Sequence, residues 1–167
     1  MKRLILFRHG KSDWHAPHGS DHERPLNARG ATAAETMGRV LGHAGLVPDR
    51  AITSSAVRAQ TTLELASTAG GWECAIDVTD ELYGTTAVGA LKVAGRVAND
   101  VESLMLVGHE PTWSELARHL TGGHVTVKTA TVVGIDLPID SWRDADTRGR
   151  LAFLFQPRDF AHWLEPH

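Results

Sequence analysis

Two short apolar runs stand out along the chain, Leu4 to Phe7 and Ser103 to Val107 (Ser-Leu-Met-Leu-Val). Neither alternates with polar positions, as expected of strands covered on both faces. Between them the period changes. Asn27 is a good N-cap, and Ala28 to Ala44 follows as a helix with Met37, Val40 and Leu41 on one face. Gly45 stops it. Arg50 to Thr53 reads as a strand. Ser54-Ser55 is a cap signal for a helix through Val57, Thr61, Leu63 and Leu65 to about Ala69. Ala75 to Val78 is a strand and Ala87 to Val97 a helix. Pro111 suits the first turn of a helix carrying Trp113, Leu116, Ala117 and Leu120. Thr131 to Leu137 and Leu151 to Phe155 are further strands, separated by a polar stretch from Asp140 to Gly149. Near the C-terminus, Trp163 either docks on the sheet or frays.

Strands alternate with helices almost throughout. This order predicts an α/β domain over residues 1–167, with three α/β/α layers and a mostly parallel central sheet. In such sheets ligands bind beyond the C-terminal ends of the strands. Arg8-His9 and Gly108-His109 both follow strand ends, so the architecture can bring the two histidines to one edge. Arg8 to Pro25 is a long loop rich in His, Asp, Ser, Gly and Pro, and loops of that length tend to be functional.

Composition narrows the function classes. A net charge of −3 gives no global basic field to recruit nucleic acid. A single cysteine, Cys74, excludes an intramolecular disulfide and a multi-cysteine zinc site, and is expected to be a small buried residue. No apolar stretch approaches the length of a membrane span, and the N-terminal run is too short for a signal peptide. A cytoplasmic protein is expected. His15, His18 and His22 share a loop without helical spacing, so they are expected to line a rim or stand in solvent rather than hold a metal. Lys11 and Asp13 are expected to be rim charges.

Four side chains would meet at the sheet edge: Arg8, His9, Arg58 and His109. Arg58 lies in the first turn of a helix, where free N–H groups and the dipole suit an anion. Arginine adds a planar fork matched to phosphate oxygens. Two arginines and two histidines around one pocket would neutralise a phosphoryl group and spread the charge of its transition state. A neutral imidazole can attack phosphorus and hold the group covalently. Its other nitrogen would be fixed by a backbone carbonyl, and Gly10 would let the backbone fold close to the ring.

The chain resembles the histidine phosphatase superfamily, which includes the phosphoglycerate mutases, and within it the compact SixA-like phosphohistidine phosphatases. Arg8-His9-Gly10-Lys11-Ser12-Asp13-Trp14 looks like the opening motif. Arg24-Pro25-Leu26-Asn27-Ala28-Arg29-Gly30 resembles the lead into the first helix. Ser54-Ser55-Ala56-Val57-Arg58-Ala59-Gln60-Thr61-Thr62 is similar to the second arginine motif, and Val107-Gly108-His109-Glu110-Pro111 to the second histidine motif. The matches fall in order over residues 4 to about 120. The resemblance implies His9 as nucleophile, and Arg8, Arg58 and His109 as phosphoryl-binding groups. Ser12 is a candidate substrate contact. No cofactor or metal is implied.

Mutase-like members carry a glutamate acid in a Glu-x-x-x-Gly context. Here Asp80-Glu81-Leu82-Tyr83-Gly84 has one residue fewer, so Glu81 is an acid candidate at a shifted position. The family's large helical insertions are also missing, which implies an open pocket that a group on a protein surface can reach. The expected function is a metal-independent phosphatase acting on protein phosphohistidine. A broad small-molecule phosphomonoesterase and a non-catalytic phosphate- or phosphohistidine-binding module are the alternatives. A mutase fits least.

Overall fold

In the computed structural model, which describes residues 1–162, the two apolar runs lie side by side. Strand β1 (Lys2–Arg8) pairs in parallel with β4 (Ser103–Gly108), with Leu4 opposite Leu104, Phe7 opposite Val107 and Arg8 opposite Gly108. Strand β2 (Arg50–Ser54) adds to β4, and β3 (Ala75–Thr79) adds to β2, both in parallel. On the other side β5 (Val132–Leu137) runs antiparallel to β1, and β6 (Arg150–Phe155) antiparallel to β5. The six strands form one sheet in the order β3-β2-β4-β1-β5-β6. The expected mostly parallel sheet is therefore closed at one side by an antiparallel hairpin.

Alternation along the central strands sorts the side chains into two layers. Leu4, Leu6, Leu104 and Leu106 face helices α3 (Ala87–Ala94) and α4 (Thr112–Thr121), together with Trp113 and Trp142. Ile5, Phe7, Met105 and Val107 face α1 (Ala28–His43) and α2 (Val57–Gly70), through Met37, Leu41 and Leu63. Leu4 to Phe7 are fully buried. Each such side chain contributes about 1.5–3 kcal/mol relative to exposure, which explains why these strands carry no polar position.

Local chemistry sets the boundaries. The Asn27 side chain accepts from Gly30 N–H at 2.8 Å and starts α1 as expected. The cap of α2 differs. Ala56 is the N-cap residue, while Ser54 Oγ accepts from Ala56 N–H at 3.2 Å. Helix α3 ends at Ala94, because the next N–H groups, of Arg96 and Val97, turn back three residues to Val93 O and Ala94 O in a tighter turn. Pro111 precedes α4 as its N-cap residue. The stretch from Asp140 to Gly149 is less polar in effect than its sequence, since Trp142 is fully buried and its indole N–H donates to Val101 O at 2.8 Å. Cys74 is half-buried rather than buried, because it leads into the edge strand β3. Trp163 lies outside the described residues.

Gly10, whose carbonyl meets the His9 ring as expected, has a second close neighbour. A Cβ there would stand 2.6 Å from the carbonyl oxygen of Gly30 in the first turn of α1. Both partners are backbone, so neither can swing aside. Gly10→Ala is expected to lower stability by about 1–3 kcal/mol, as in other overpacked sites. Urea unfolding of the variant measures this; an unchanged midpoint would contradict the close approach.

Candidate active site

The register of β1 on β4 builds the site. Because Arg8 sits opposite Gly108, the next residue of each strand is a histidine. His9 N–H donates to Gly108 O at 3.1 Å, and the His9 and His109 ring centroids lie 5.2 Å apart. Arg58 enters from the first turn of α2, and Ser12, Trp14, Asp21 and Arg24 from the loop after β1. The pocket they line has a volume of about 540 Å³. Its rim carries the exposed Trp14 and Asp21, so it opens to solvent. The four side chains singled out by sequence thus converge, as does Ser12.

His9 is 7% exposed. Its Nδ1 lies 2.6 Å from the Gly10 carbonyl oxygen. A carbonyl only accepts, so the proton sits on Nδ1 and the lone pair on Nε2. Burial pushes the ring's pKa down to about 3. The Gly10 carbonyl opposes this shift, and His109, Arg58 and Arg8 add to it. His109 is pushed to about 4, first by burial and then by Arg58. Both rings are neutral at pH 7, the form that can attack phosphorus. As pH falls, the nucleophile is lost only on protonation far below the ordinary histidine value. The kcat/KM profile for an aryl phosphate, corrected for substrate ionisation, is therefore expected to be flat from about pH 5 to 8. An acid limb centred near 6.5 would contradict the assignment.

Three buried nitrogens around these rings have no partner in the protein: Arg8 Nε, Arg58 Nε and His109 Nδ1. Leaving such a group unsatisfied costs about 1–3 kcal/mol each. His109 Nε2 is 2.8 Å from Ser54 Oγ. If the Ser54 hydroxyl donates there, Nδ1 carries the proton, and an oxyanion is the group that would satisfy all three atoms. Arg8 is steadied through Val127 O at 3.0 Å.

Loop residues that sequence reasoning passed over organise the arginines. Asp21 takes Arg58 through its carbonyl at 2.8 Å and its carboxylate at 3.1 Å, Arg24 at 3.0 Å, and the Tyr83 hydroxyl at 2.8 Å. The Tyr83 hydrogen bond, then Arg24 and Arg58, hold the Asp21 carboxyl well below the usual carboxylate range. Arg24 in turn donates to Ser12 Oγ and stacks on Trp14, 3.6 Å from the ring centroid. Glu110 also lines the pocket, but its carboxylate accepts from Ser114 N–H and Oγ–H in the first turn of α4.

Glu81 is not brought to the pocket. Thr79 caps the short turn Asp80–Leu82, Leu82 packs inward, and Glu81 points out to pair with Arg96. It lines a separate depression with Arg50 and Asp77. The loop histidines also separate. His22 Nε2 lies 2.8 Å from Ser55 Oγ, and its ring meets Tyr83 edge-on, whereas His15 and His18 are exposed. Asp13 folds its own loop by accepting from His15 and Ala16 N–H. Among the described residues no group of three His, Cys, Asp or Glu side chains is placed to hold a metal, and no helix is long and apolar enough to cross a membrane.

The geometry agrees with comparisons to known proteins. The model of the histidine phosphatase superfamily (branch 1) matches residues 4–84, which contain Arg8, His9 and Arg58. A solved structure from Agrobacterium tumefaciens, described as a candidate phosphohistidine phosphatase SixA, superposes with a TM-score of 0.81 at 26% identity, over 93% of this chain and 98% of that one. This chain belongs to the histidine phosphatase superfamily. Its fold is the phosphoglycerate mutase-like α/β fold in its compact, SixA-like form. A protein histidine phosphatase SixA complexed with tungstate shares the fold at 21% identity, with a TM-score of 0.81 over 95% of this chain and 99% of that one. An uncharacterised protein of a Picosynechococcus strain is 30% identical over 98% of this chain and 99% of its own length. The family and the SixA-like fold support phosphatase activity.

Proposed function

We propose that this histidine phosphatase dephosphorylates protein phosphohistidine through a covalent intermediate on His9. The observation that carries the reading is a neutral imidazole, proton fixed on Nδ1, surrounded by three unpartnered buried nitrogens. In the first step the Nε2 lone pair attacks phosphorus, and the P–N bond to the substrate ring breaks. The phosphoryl group passes to His9 while Arg8, Arg58 and His109 hold its oxygens. In the second step water attacks phosphorus, the bond to Nε2 breaks, and inorganic phosphate leaves with His9 restored. The arginines and histidines supply the charge stabilisation, so the proposed reaction runs without a metal.

What the pocket lacks supports this substrate class. Asp21 is held ionised by Tyr83 and two arginines, Glu110 accepts hydrogen bonds at a helix start, and Glu81 points elsewhere. Among the described residues no carboxylic acid is poised to protonate an alkoxide. A phosphohistidine protonated on its second ring nitrogen leaves as neutral imidazole and needs no such acid. The open rim suits a group carried on a protein surface. The similarity to a protein named as a candidate phosphohistidine phosphatase supports the same reading. A cytoplasmic location fits it.

Turnover of a panel tests this. A phosphohistidine-bearing protein is expected to exceed sugar phosphates in kcat/KM by at least about a hundredfold, the scale of one missing acid catalyst. A sugar phosphate turned over more efficiently would favour the small-molecule phosphomonoesterase instead. Glu81→Gln is expected to leave turnover of phosphohistidine within about twofold, since its exposed pair with Arg96 is worth little. A large loss would return Glu81 to the chemistry.

A further inference from the structure

A second groove adjoins the active site. It has a volume of about 630 Å³ and shares Lys11 and Thr129 with the His9 pocket. Arg29, in the first turn of α1, lines it with Lys128 and Arg158. Among the described residues, three of the groove's four cations have no carboxylate beside them. Lys11, Arg29 and Lys128 pair with none, and Arg158 has only its neighbour Asp159, at 3.9 Å. The hydroxyl of Thr131, which also lines the groove, is fully buried without a partner. Ala33 and Pro157 give the walls apolar surface.

From these features we infer that the groove is a specificity subsite for an acidic segment of the phosphoprotein substrate, flanking the phosphorylated residue. This inference rests on the phosphohistidine reading of the His9 pocket. Because the two cavities share Lys11 and Thr129, a chain whose phosphoryl group reaches His9 continues directly into the groove. Carboxylates along that chain would meet four cations and the N-terminal end of α1, where negative charge is favoured. The apolar walls take the aliphatic part of acidic side chains. The neighbouring cations would also raise the encounter rate, and salt would screen that gain.

The test uses short phosphohistidine peptides with acidic or neutral flanks, and the double variant Arg29→Glu/Lys128→Glu. Both positions are exposed and outside the catalytic set, and a glutamate near the start of α1 complements the helix dipole. Wild-type kcat/KM is expected to favour the acidic peptide by roughly tenfold at low salt, and the variant to abolish that preference. The kcat for an aryl phosphate is expected to stay unchanged. Binding of the unphosphorylated acidic peptide, read by fluorescence anisotropy, tests the groove apart from catalysis and is expected to weaken by a similar factor. Equal turnover and equal binding of both peptides by the wild type would overturn the subsite. Acidic-peptide binding that is lost in the variant, with no phosphohistidine peptide hydrolysed, would overturn the catalytic reading and leave the groove standing. If the charge reversals prevent folding, Arg29→Gln/Lys128→Gln carries the same comparison.

Discussion

His9→Ala is expected to reduce hydrolysis of both phosphohistidine and aryl phosphate by at least about a thousandfold, as loss of a nucleophile does in other covalent mechanisms. The fold should survive. The backbone of His9 is held by Gly108 O and by Ala130 N–H, and neither bond involves the ring. Circular dichroism and urea unfolding check that point, and steady-state rates check the activity. Binding of tungstate should fall far less than turnover, because Arg8, Arg58 and His109 remain. Near-wild-type hydrolysis by a folded His9→Ala would remove His9 from the chemistry.

Arg58→Ala is expected to cost about a hundred- to a thousandfold in kcat/KM, the scale of one lost donor to a developing oxyanion. Arg58 is 5% exposed and bonds Asp21 with both terminal nitrogens. The substitution therefore also loosens the loop that carries Asp21 and Arg24. Arg58→Lys should restore little, because an ammonium's donors radiate from one nitrogen and cannot copy the planar fork whose two terminal nitrogens span the Asp21 carbonyl and carboxylate. Loss confined to KM, with kcat unchanged, would mean that Arg58 binds substrate and transition state equally.

Much of this arrangement was legible in the order of residues. The uninterrupted apolar runs at Leu4 and Leu104 marked the two central strands, and each ends in a histidine. That pattern alone puts His9 and His109 at one edge. Arg58 was legible as a cation at a helix start. The helix ends at Gly45 and Asn27 followed from cap chemistry. The antiparallel closure by β5 and β6 was not readable, because a strand's direction leaves no mark on a run such as Val132 to Leu137.

The loop was the harder part. Asp21, Arg24 and Tyr83 meet through tertiary contacts, and a polar loop has no periodicity to show which side chains turn inward. Ser54 read only as a helix cap, although its hydroxyl serves Ala56 N–H and His109 alike. Glu81 illustrates the reverse. Its place near a family motif suggested chemistry, but the Thr79-capped turn that buries Leu82 sends it outward to Arg96.

The central claim is that His9 carries the phosphoryl group. A brief pulse with a 32P-labelled phosphohistidine protein, quenched in alkali and mapped by mass spectrometry, tests it directly. An acid-labile, alkali-stable phosphoryl group is expected on His9 and absent from His9→Ala. Rapid release of phosphate with no label on His9 under any quench would contradict it. Neither label nor phosphate release would leave a binding module in place of an enzyme.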